Sequence, residues 1–270
     1  MKFILPQNIC SIISTLGENG FSAHIVGGCV RDMLTGKPPH DWDITTGAAP
    51  DDVKKLFAVT YDTGLKHGTV TVKSGDFRVE VTTWRNEKGY SDHRRPDDIT
   101  FAASLTEDLA RRDFTMNAIA YNPRQGIVDP FHGQDDIKAK LIRCVGDPLE
   151  RFSEDALRML RCIRFSAQLD FGIDARAFEA IRILAGDLSY ISMERIQSEI
   201  NKILDSPAPE KLSLLWETGL SGTVFPGLPA PSENWGLLSR ILSECGADKP
   251  DLLALLFLLS SGGDSANLAR

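Results

Sequence analysis

The chain has 270 residues, of which 42% are hydrophobic and 25% charged, and its formal net charge is −7. That composition fits one large or two modest globular domains, and no internal repeat or low-complexity stretch interrupts it. The acidic total gives no hint of a polyanion partner. Residues 138–164, however, hold seven Lys/Arg against four Asp/Glu, so a local basic patch is not excluded.

The opening run Met1-Lys2-Phe3-Ile4-Leu5-Pro6 is too short in apolar residues for a signal peptide. A helix follows from Asn8 to Gly20, closed by glycine, and then a strand from Ala23 to Val26. Gly27-Gly28 stands at the end of that strand, ahead of a short helix over Val30 to Leu34. Asp41 to Thr46 is read as a strand, and Pro50 to Phe57 as a short helix with proline near its start. Thr69 to Lys73 and Phe77 to Thr83 alternate apolar and polar residues, and Ser74-Gly75-Asp76 joins them as a hairpin. After about residue 148 the strand signals stop. Helical spacing runs over 153–169, 174–186, 192–205 and 208–219, broken at Gly172, Gly186 and Pro207. The expected fold is therefore an α+β head followed by an all-helical part.

Leu252 to Leu259 is strongly apolar but far short of the roughly 20 residues of a membrane span; it reads as a core helix begun by Pro250-Asp251. The following Ser260 to Arg270 leaves that helix nothing to pack on, which points to a truncated or divergent C-terminal part. The cysteines at 10, 29, 144, 162 and 245 show neither C-x-x-C nor zinc spacing. They read as reduced thiols in a cytoplasmic setting.

The chemistry concentrates in Ile25-Val26-Gly27-Gly28-Cys29-Val30-Arg31-Asp32 and Asp41-Trp42-Asp43. Two glycines at a strand end let the backbone approach a ligand, and the following helix start favours an anion. Arg31 lies one turn in, within reach of a phosphate. On a strand, Asp41 and Asp43 project from one face, and two hard oxygen ligands beside a phosphate cradle suit Mg²⁺. Each feature alone is ordinarily a turn or a cap; the combination points to phosphoryl or nucleotidyl transfer. Glu80, on the partner strand of the hairpin, shares a face with Arg78 while Val79 and Val81 take the other. By itself it is either an exposed strand glutamate or a third carboxylate beside Asp41 and Asp43.

Residues 24 to 46 resemble the signature of the nucleotidyltransferase superfamily, in the form used by class II tRNA nucleotidyltransferases (CCA-adding enzymes) and bacterial poly(A) polymerases. The resemblance extends over about residues 20 to 225. It implies a DNA-polymerase-β-like head with a mixed sheet over residues 1–147. A helical neck that reads the nucleobase would occupy 148–225, and the start of a truncated helical body 226–270. It implies Asp41, Asp43 and Glu80 as catalytic acids, with Mg²⁺ held by Asp41 and Asp43. Gly28, Arg31 and Arg112 would contact the triphosphate. Asp113, in Arg111-Arg112-Asp113-Phe114, would recognise the ribose hydroxyl and so favour ribonucleotides.

Glu154-Asp155-Ala156-Leu157-Arg158 resembles the motif whose Asp and Arg act as a protein template for the incoming base. By themselves Asp155 and Arg158 are an ordinary surface pair on a helix. The donor and acceptor chemistry agrees with the template role. Arg only donates, and ionised Asp only accepts. Cytosine and adenine each present an amino donor beside a ring acceptor, whereas uracil and guanine present the reverse. Arg161 and Arg164 extend the basic strip toward phosphate or base. The segment Trp84 to Leu105, with Tyr90, Asp92, Arg94, Arg95 and Pro96, resembles the loop that assists the switch from C to A addition. Gly64 to Val70 matches the CCA-adding side of the family, with His67 read as structural. Glu194-Arg195-Ile196 resembles a motif bracing the neck helices.

The expected activity is addition of C, C and A from CTP and ATP to the 3′ end of tRNA, with release of pyrophosphate and no membrane involvement. The alternatives are a poly(A) polymerase or A-adding enzyme on the same fold, or a non-catalytic RNA-binding fragment.

Overall fold

A mixed sheet with helices forms the first of two units in the computed structural model, which describes residues 3–88 and 98–228. This unit takes the described residues up to Ala139 together with Arg143–Gly146; the second takes Lys140–Ile142 and the described residues from Asp147 onward. In the first unit the elements are α1 (Gln7–Glu18), β1 (Ala23–Val26), α2 (Gly28–Leu34), β2 (Asp43–Thr46) and α3 (Pro50–Leu56). Then come β3 (Thr60–Gly64), β4 (Thr69–Ser74), β5 (Phe77–Thr83), β6 (Arg85–Lys88) and β7 (Asp98–Phe101). The unit continues with α4 (Leu105–Ala110), β8 (Ala120–Asn122), β9 (Gly126–Val128) and α5 (Gly133–Lys138).

Seven strands pair in the order β3-β4-β5-β2-β1-β8-β9. The β2–β5 pair is parallel and the other pairs of this sheet are antiparallel. Strand alternation explains which face is covered. Val70 and Val72 of β4 sit opposite Val81 and Val79 of β5, all buried. Against the sheet lie α1, which buries Ile9, Ile12, Ile13 and Leu16, and α3, which buries Val53. Each fully buried aliphatic chain contributes about 1.5–3 kcal/mol. The alternate residues of β5, Arg78 and Glu80, are left exposed on the other face.

In the second unit β10 (Leu141–Ile142) pairs in parallel with β11 (Gly172–Ile173), a two-residue strand beyond the point where strand signals were expected to end. The helices are α6 (Pro148–Glu154), α7 (Leu157–Leu169), α8 (Ala175–Leu184), α9 (Met193–Leu204), α10 (Leu214–Thr218) and α11 (Ser221–Val224). The apolar stripe of α7 packs on Ile196, Ile200 and Ile203 of α9.

Three differences from the sequence expectation bear on the candidate site residues. Pairing opposite Glu80 begins at Asp43, so β2 starts there and Asp41 lies in the bend before it. Helix α2 begins at Gly28, directly after Gly27. The span 153–169 is two helices, not one. Asp147 caps α6 with Pro148 at its first position, and Asp155 leaves helical geometry at φ −139° and ψ 102°. The Asp155 side chain then accepts from the Leu157 N–H and starts α7. Residues of the expected C-to-A loop between 89 and 97, Cys245, and the helix expected over Leu252 to Leu259 lie outside the described residues.

Candidate active site

Cross-strand register assembles the acids. Asp43 of β2 is the direct partner of Glu80 on β5, so the two carboxylates neighbour each other on the open face. Asp41 joins them from the preceding bend, and all three line a cavity of about 560 Å³. Trp42 between the two aspartates is buried. Burial pushes the Asp43 carboxyl above its ordinary value. The Arg112 guanidinium opposes this, while Glu80 and Asp41 push it further up, and the upward causes prevail. A carboxylate held in this way gains from a nearby cation. Among the described residues no three acidic, thiol or imidazole side chains are grouped so as to hold a metal ion by themselves. Asp41 and Asp43 are the side chains that could ligate a divalent ion here, and its remaining ligands would have to come from substrate and water.

Beside the acids, Gly27 adopts φ 80° and ψ −131°, a backbone state that strains any L side chain. A Cβ at Gly27 would lie 3.0 Å from Arg112 Nη1, and one at Gly28 would lie 3.6 Å from Arg31 Nη2. Two guanidiniums thus flank the bare glycine backbone. Arg31 donates from Nη1 to Asn117 Oδ1 at 2.8 Å and from Nη2 to Asp32 Oδ1 at 2.7 Å. Arg112 Nε is buried without a hydrogen-bond partner among the described residues. Such a donor is costly unless a ligand satisfies it.

Asp108 anchors this side of the site, and the sequence reading missed it. It is fully buried, accepts from Thr45 Oγ1 at 2.9 Å, and holds Arg111 at 2.8 Å and Arg112 at 3.7 Å. Burial pushes its carboxyl up, but Arg111 and Arg112, with the hydrogen bonds from Arg111 and Thr45, outweigh that and hold it below its ordinary value. Asn117 was also missed. Its Nδ2 donates to Asp113 Oδ1 at 3.2 Å while its Oδ1 accepts from Arg31, so one amide links the Gly-Gly segment to the Arg112-Asp113 segment. Asp113 Oδ1 also accepts from the Phe114 N–H at 2.8 Å. Cys29, in the same region, is a buried thiol pushed up to about 11 by desolvation.

In the helical unit the expected pair is not an intrahelical ion pair. Asp155 binds Arg195 at 3.3 Å, while Arg158 is buried and pairs with Glu154 and the Arg151 carbonyl. Arg195 thus braces Asp155 rather than its neighbour Glu194, and its Nη1 is buried without a partner among the described residues. Arg161 lies over the Phe165 ring at 5.5 Å. Arg164 is buried, stacks on Phe165 at 3.8 Å, and is held by Glu199 at 2.5 Å and Gln168 at 2.6 Å. The expected basic strip is accordingly compensated at several points. Arg151 and Arg158 share Glu154, Arg164 is matched by Glu199, and in the first unit Arg143 is matched by Asp136 and Lys138 by Asp135.

Comparison with known proteins agrees with this architecture. Residues 23–143 match the family described as the Poly A polymerase head domain, and residues 170–230 match a probable RNA and SrmB binding site of polymerase A. The CCA-adding enzyme of Geobacillus thermodenitrificans is 50% identical over 228 residues, covering 84% of this chain and 56% of that protein. That of Staphylococcus aureus strain Newman is 49% identical over 200 residues, covering 74% and 50%. The chain therefore spans about half the length of the curated relatives it matches. Among solved structures, the Bacillus stearothermophilus CCA-adding enzyme in complex with CTP superposes with a TM-score of 0.77 at 37% identity, covering 99% of this chain and 72% of that one. A tRNA nucleotidyltransferase complexed with a primer tRNA and an incoming ATP analog gives 0.73 at 27% identity, covering 92% and 74%.

Proposed function

Because this chain belongs to the family of CCA-adding enzymes, we propose that it transfers CMP and AMP from CTP and ATP to the 3′ end of tRNA, releasing pyrophosphate. The observation that carries this reading is a cavity lined by Asp41, Asp43 and Glu80, with Arg112 close enough to act on the Asp43 carboxyl and a glycine backbone flanked by Arg112 and Arg31. Asp41 and Asp43 would hold Mg²⁺, with Glu80 completing the acidic group. When bound, the metal lowers the pKa of the attacking 3′-hydroxyl and supports the charge of the leaving pyrophosphate.

The chain's own side chains do the rest. Gly28 lets the triphosphate approach the backbone, and Arg31 and Arg112 neutralise its charge in a pre-built geometry. Asn117 and Asp108 keep those guanidiniums from collapsing onto the catalytic acids. Asp113 accepts from the ribose 2′-hydroxyl. Asp155 and Arg158 offer an acceptor and a donor to the Watson–Crick edge of C or A and mismatch U and G. Arg195 and Glu154 restrict the two side chains, which raises the selectivity of a fixed template. Arg161 supports phosphate or base, and Arg164 acts through its stack on Phe165 and its bond to Glu199. In this reading 1–147 is the catalytic head, 148–225 the base-reading neck and 226–270 the start of the body. Among the described residues no helix is long and apolar enough to cross a membrane, and the four described cysteines are free thiols. The proposed place of this action on tRNA is the cytoplasm.

The test is incorporation of labelled CTP and ATP, with Mg²⁺, into tRNA ending before CCA, in C and in CC. Addition of C, C and one A, then arrest, is the expected result. Addition of A to the CC form alone would make the chain an A-adding enzyme. Long A tails on unrelated RNA would make it a poly(A) polymerase, and nucleotide binding without incorporation would leave a binding module.

A further inference from the structure

The catalytic cavity continues past the acids, and the proposed function leaves that part unused. From Asp43 and Glu80 the cross-strand partners run on to Thr71 of β4 and Tyr61 of β3. These four residues form one row across the sheet, from its middle to the β3 edge. Arg78, two residues from Glu80 on β5, and Thr63, beside Tyr61 on β3, complete the floor, and all six line the same cavity. Tyr61 is 42% exposed, Arg78 is exposed, and the Arg78 guanidinium lies over the Tyr61 ring at 5.8 Å. Thr63 and Thr71 share a hydroxyl hydrogen bond of 2.7 Å, which sets the spacing of β3 and β4 at this point.

An exposed aromatic ring with a cation against it, on the wall of a carboxylate cavity, has a specific use. The Gly27-Gly28 segment follows β1, on the β2 side of the Asp43–Glu80 pair, while Tyr61 lies toward the β3 edge and Arg78 stands on β5 itself, two residues before Glu80 on the same exposed face. In phosphoryl transfer the attacking and leaving oxygens stand roughly in line across the phosphorus. If pyrophosphate leaves on the Gly27 side, the acceptor hydroxyl enters from the β5–β4–β3 side. Single-stranded RNA is gripped there by the chemistry present: stacking of a base on an aromatic ring and neutralisation of a backbone phosphate by arginine.

We infer that Tyr61 and Arg78 form the acceptor subsite, Tyr61 stacking on the 3′-terminal base of the RNA and Arg78 binding the phosphate that precedes it. This rests on the nucleotidyl-transfer reading of the cavity and adds where its second substrate lies. Both residues would be positioning residues for the acceptor, with no part in holding the incoming nucleotide. Thr63 and Thr71, already bonded to each other, keep the β3 edge at the distance the ring requires.

The experiment measures binding without turnover. A fluorescein-labelled single-stranded RNA ending in CC is titrated with the full chain and followed by anisotropy, and ATP binding is measured separately by calorimetry. Tyr61→Ala and Arg78→Ala are each expected to weaken the RNA about tenfold and leave ATP affinity unchanged. Tyr61→Phe, which keeps the ring, should bind RNA like the parent. Arg78→Ala should also lower the slope of log K against log salt by about 0.7, the signature of one lost phosphate contact on a single strand. The same variants should raise KM for the RNA acceptor and not KM for ATP. Loss of ATP affinity with RNA binding intact would assign the row to the incoming nucleotide and overturn the inference. Unchanged RNA binding in both alanine variants, or no RNA binding by the parent chain, would overturn it as well. If the parent transfers nothing to any acceptor while the alanine variants still lose RNA, the transfer reading fails; the row is then an RNA-binding surface, and its role as an acceptor subsite is overturned.

Discussion

The acidic site on the sheet and the arginines of α7 handle buried charge in opposite ways. In the sheet, Asp43 sits beside Glu80 and Asp41, and burial with carboxylate crowding outweighs the help of Arg112. In the helical unit the two buried arginines of α7 are met by carboxylates: Arg158 pairs with Glu154, which it shares with Arg151, and Arg164 pairs with Glu199. Compensated charge locks side chains in place, while under-compensated charge recruits a ligand. A metal and phosphate site is expected to be built the second way and a base-reading template the first.

The largest test of that contrast is Asp43→Asn. Transfer should fall below about a thousandth of the parent rate, because a metal ligand is lost. Stability should move the other way. The folded protein holds the Asp43 carboxyl above its ordinary value, so its ionised form costs stability at neutral pH and the amide removes that cost. A melting temperature in metal-free buffer that is equal or higher is expected; a clear drop would show that Asp43 is structural.

Glu199→Ala should do the reverse. It leaves Arg164 buried without its acid, which should destabilise the helical unit by about 3–5 kcal/mol in urea unfolding. The chemistry of the sheet site should survive at temperatures where the variant remains folded.

Arg158→Ala is a test of the template. It should cost roughly tenfold or more in discrimination of C and A against U and G, with little loss of CTP turnover at saturation. Measured kcat/KM ratios for the four nucleotides decide it; unchanged ratios would remove Arg158 from base choice.

The smallest effect is in pH. Glu80 raises the Asp43 carboxyl, so Glu80→Gln should let Asp43 ionise at lower pH. The acid limb of the kcat/KM profile should therefore shift to lower pH, whatever happens to its height. A limb that stays in place would mean that Asp43 does not control it.

Legibility followed sequence distance. The β4–β5 hairpin, the outward face of Arg78 and Glu80, and the apolar stripe of α7 were readable because each depends on neighbours a few residues apart. The break at Asp155 was misread as continuous helix, although Asp147-Pro148 carried a start signal for an earlier helix. Asp108, Asn117 and Glu199 were not readable as site residues. Their partners Thr45, Arg31 and Arg164 lie 63, 86 and 35 positions away. Tyr61 carried no motif at all; only the register of β3 on β4 connects it to the acids.

From the sequence alone, strand period and helix period place Asp43, Glu80, Arg31 and Arg158 on their elements, though not Asp41 or Asp155, and the ordered motifs identify the family, because both depend on residues contiguous in the chain. The tertiary structure alone decided which charges meet. Asp43 faces Glu80 through strand register, Arg112 is held by buried Asp108, and Arg164 is matched by Glu199. The physical reason is that the energy of a charge depends on its distance to other charges and on the water excluded around it, and neither exists until the chain has folded.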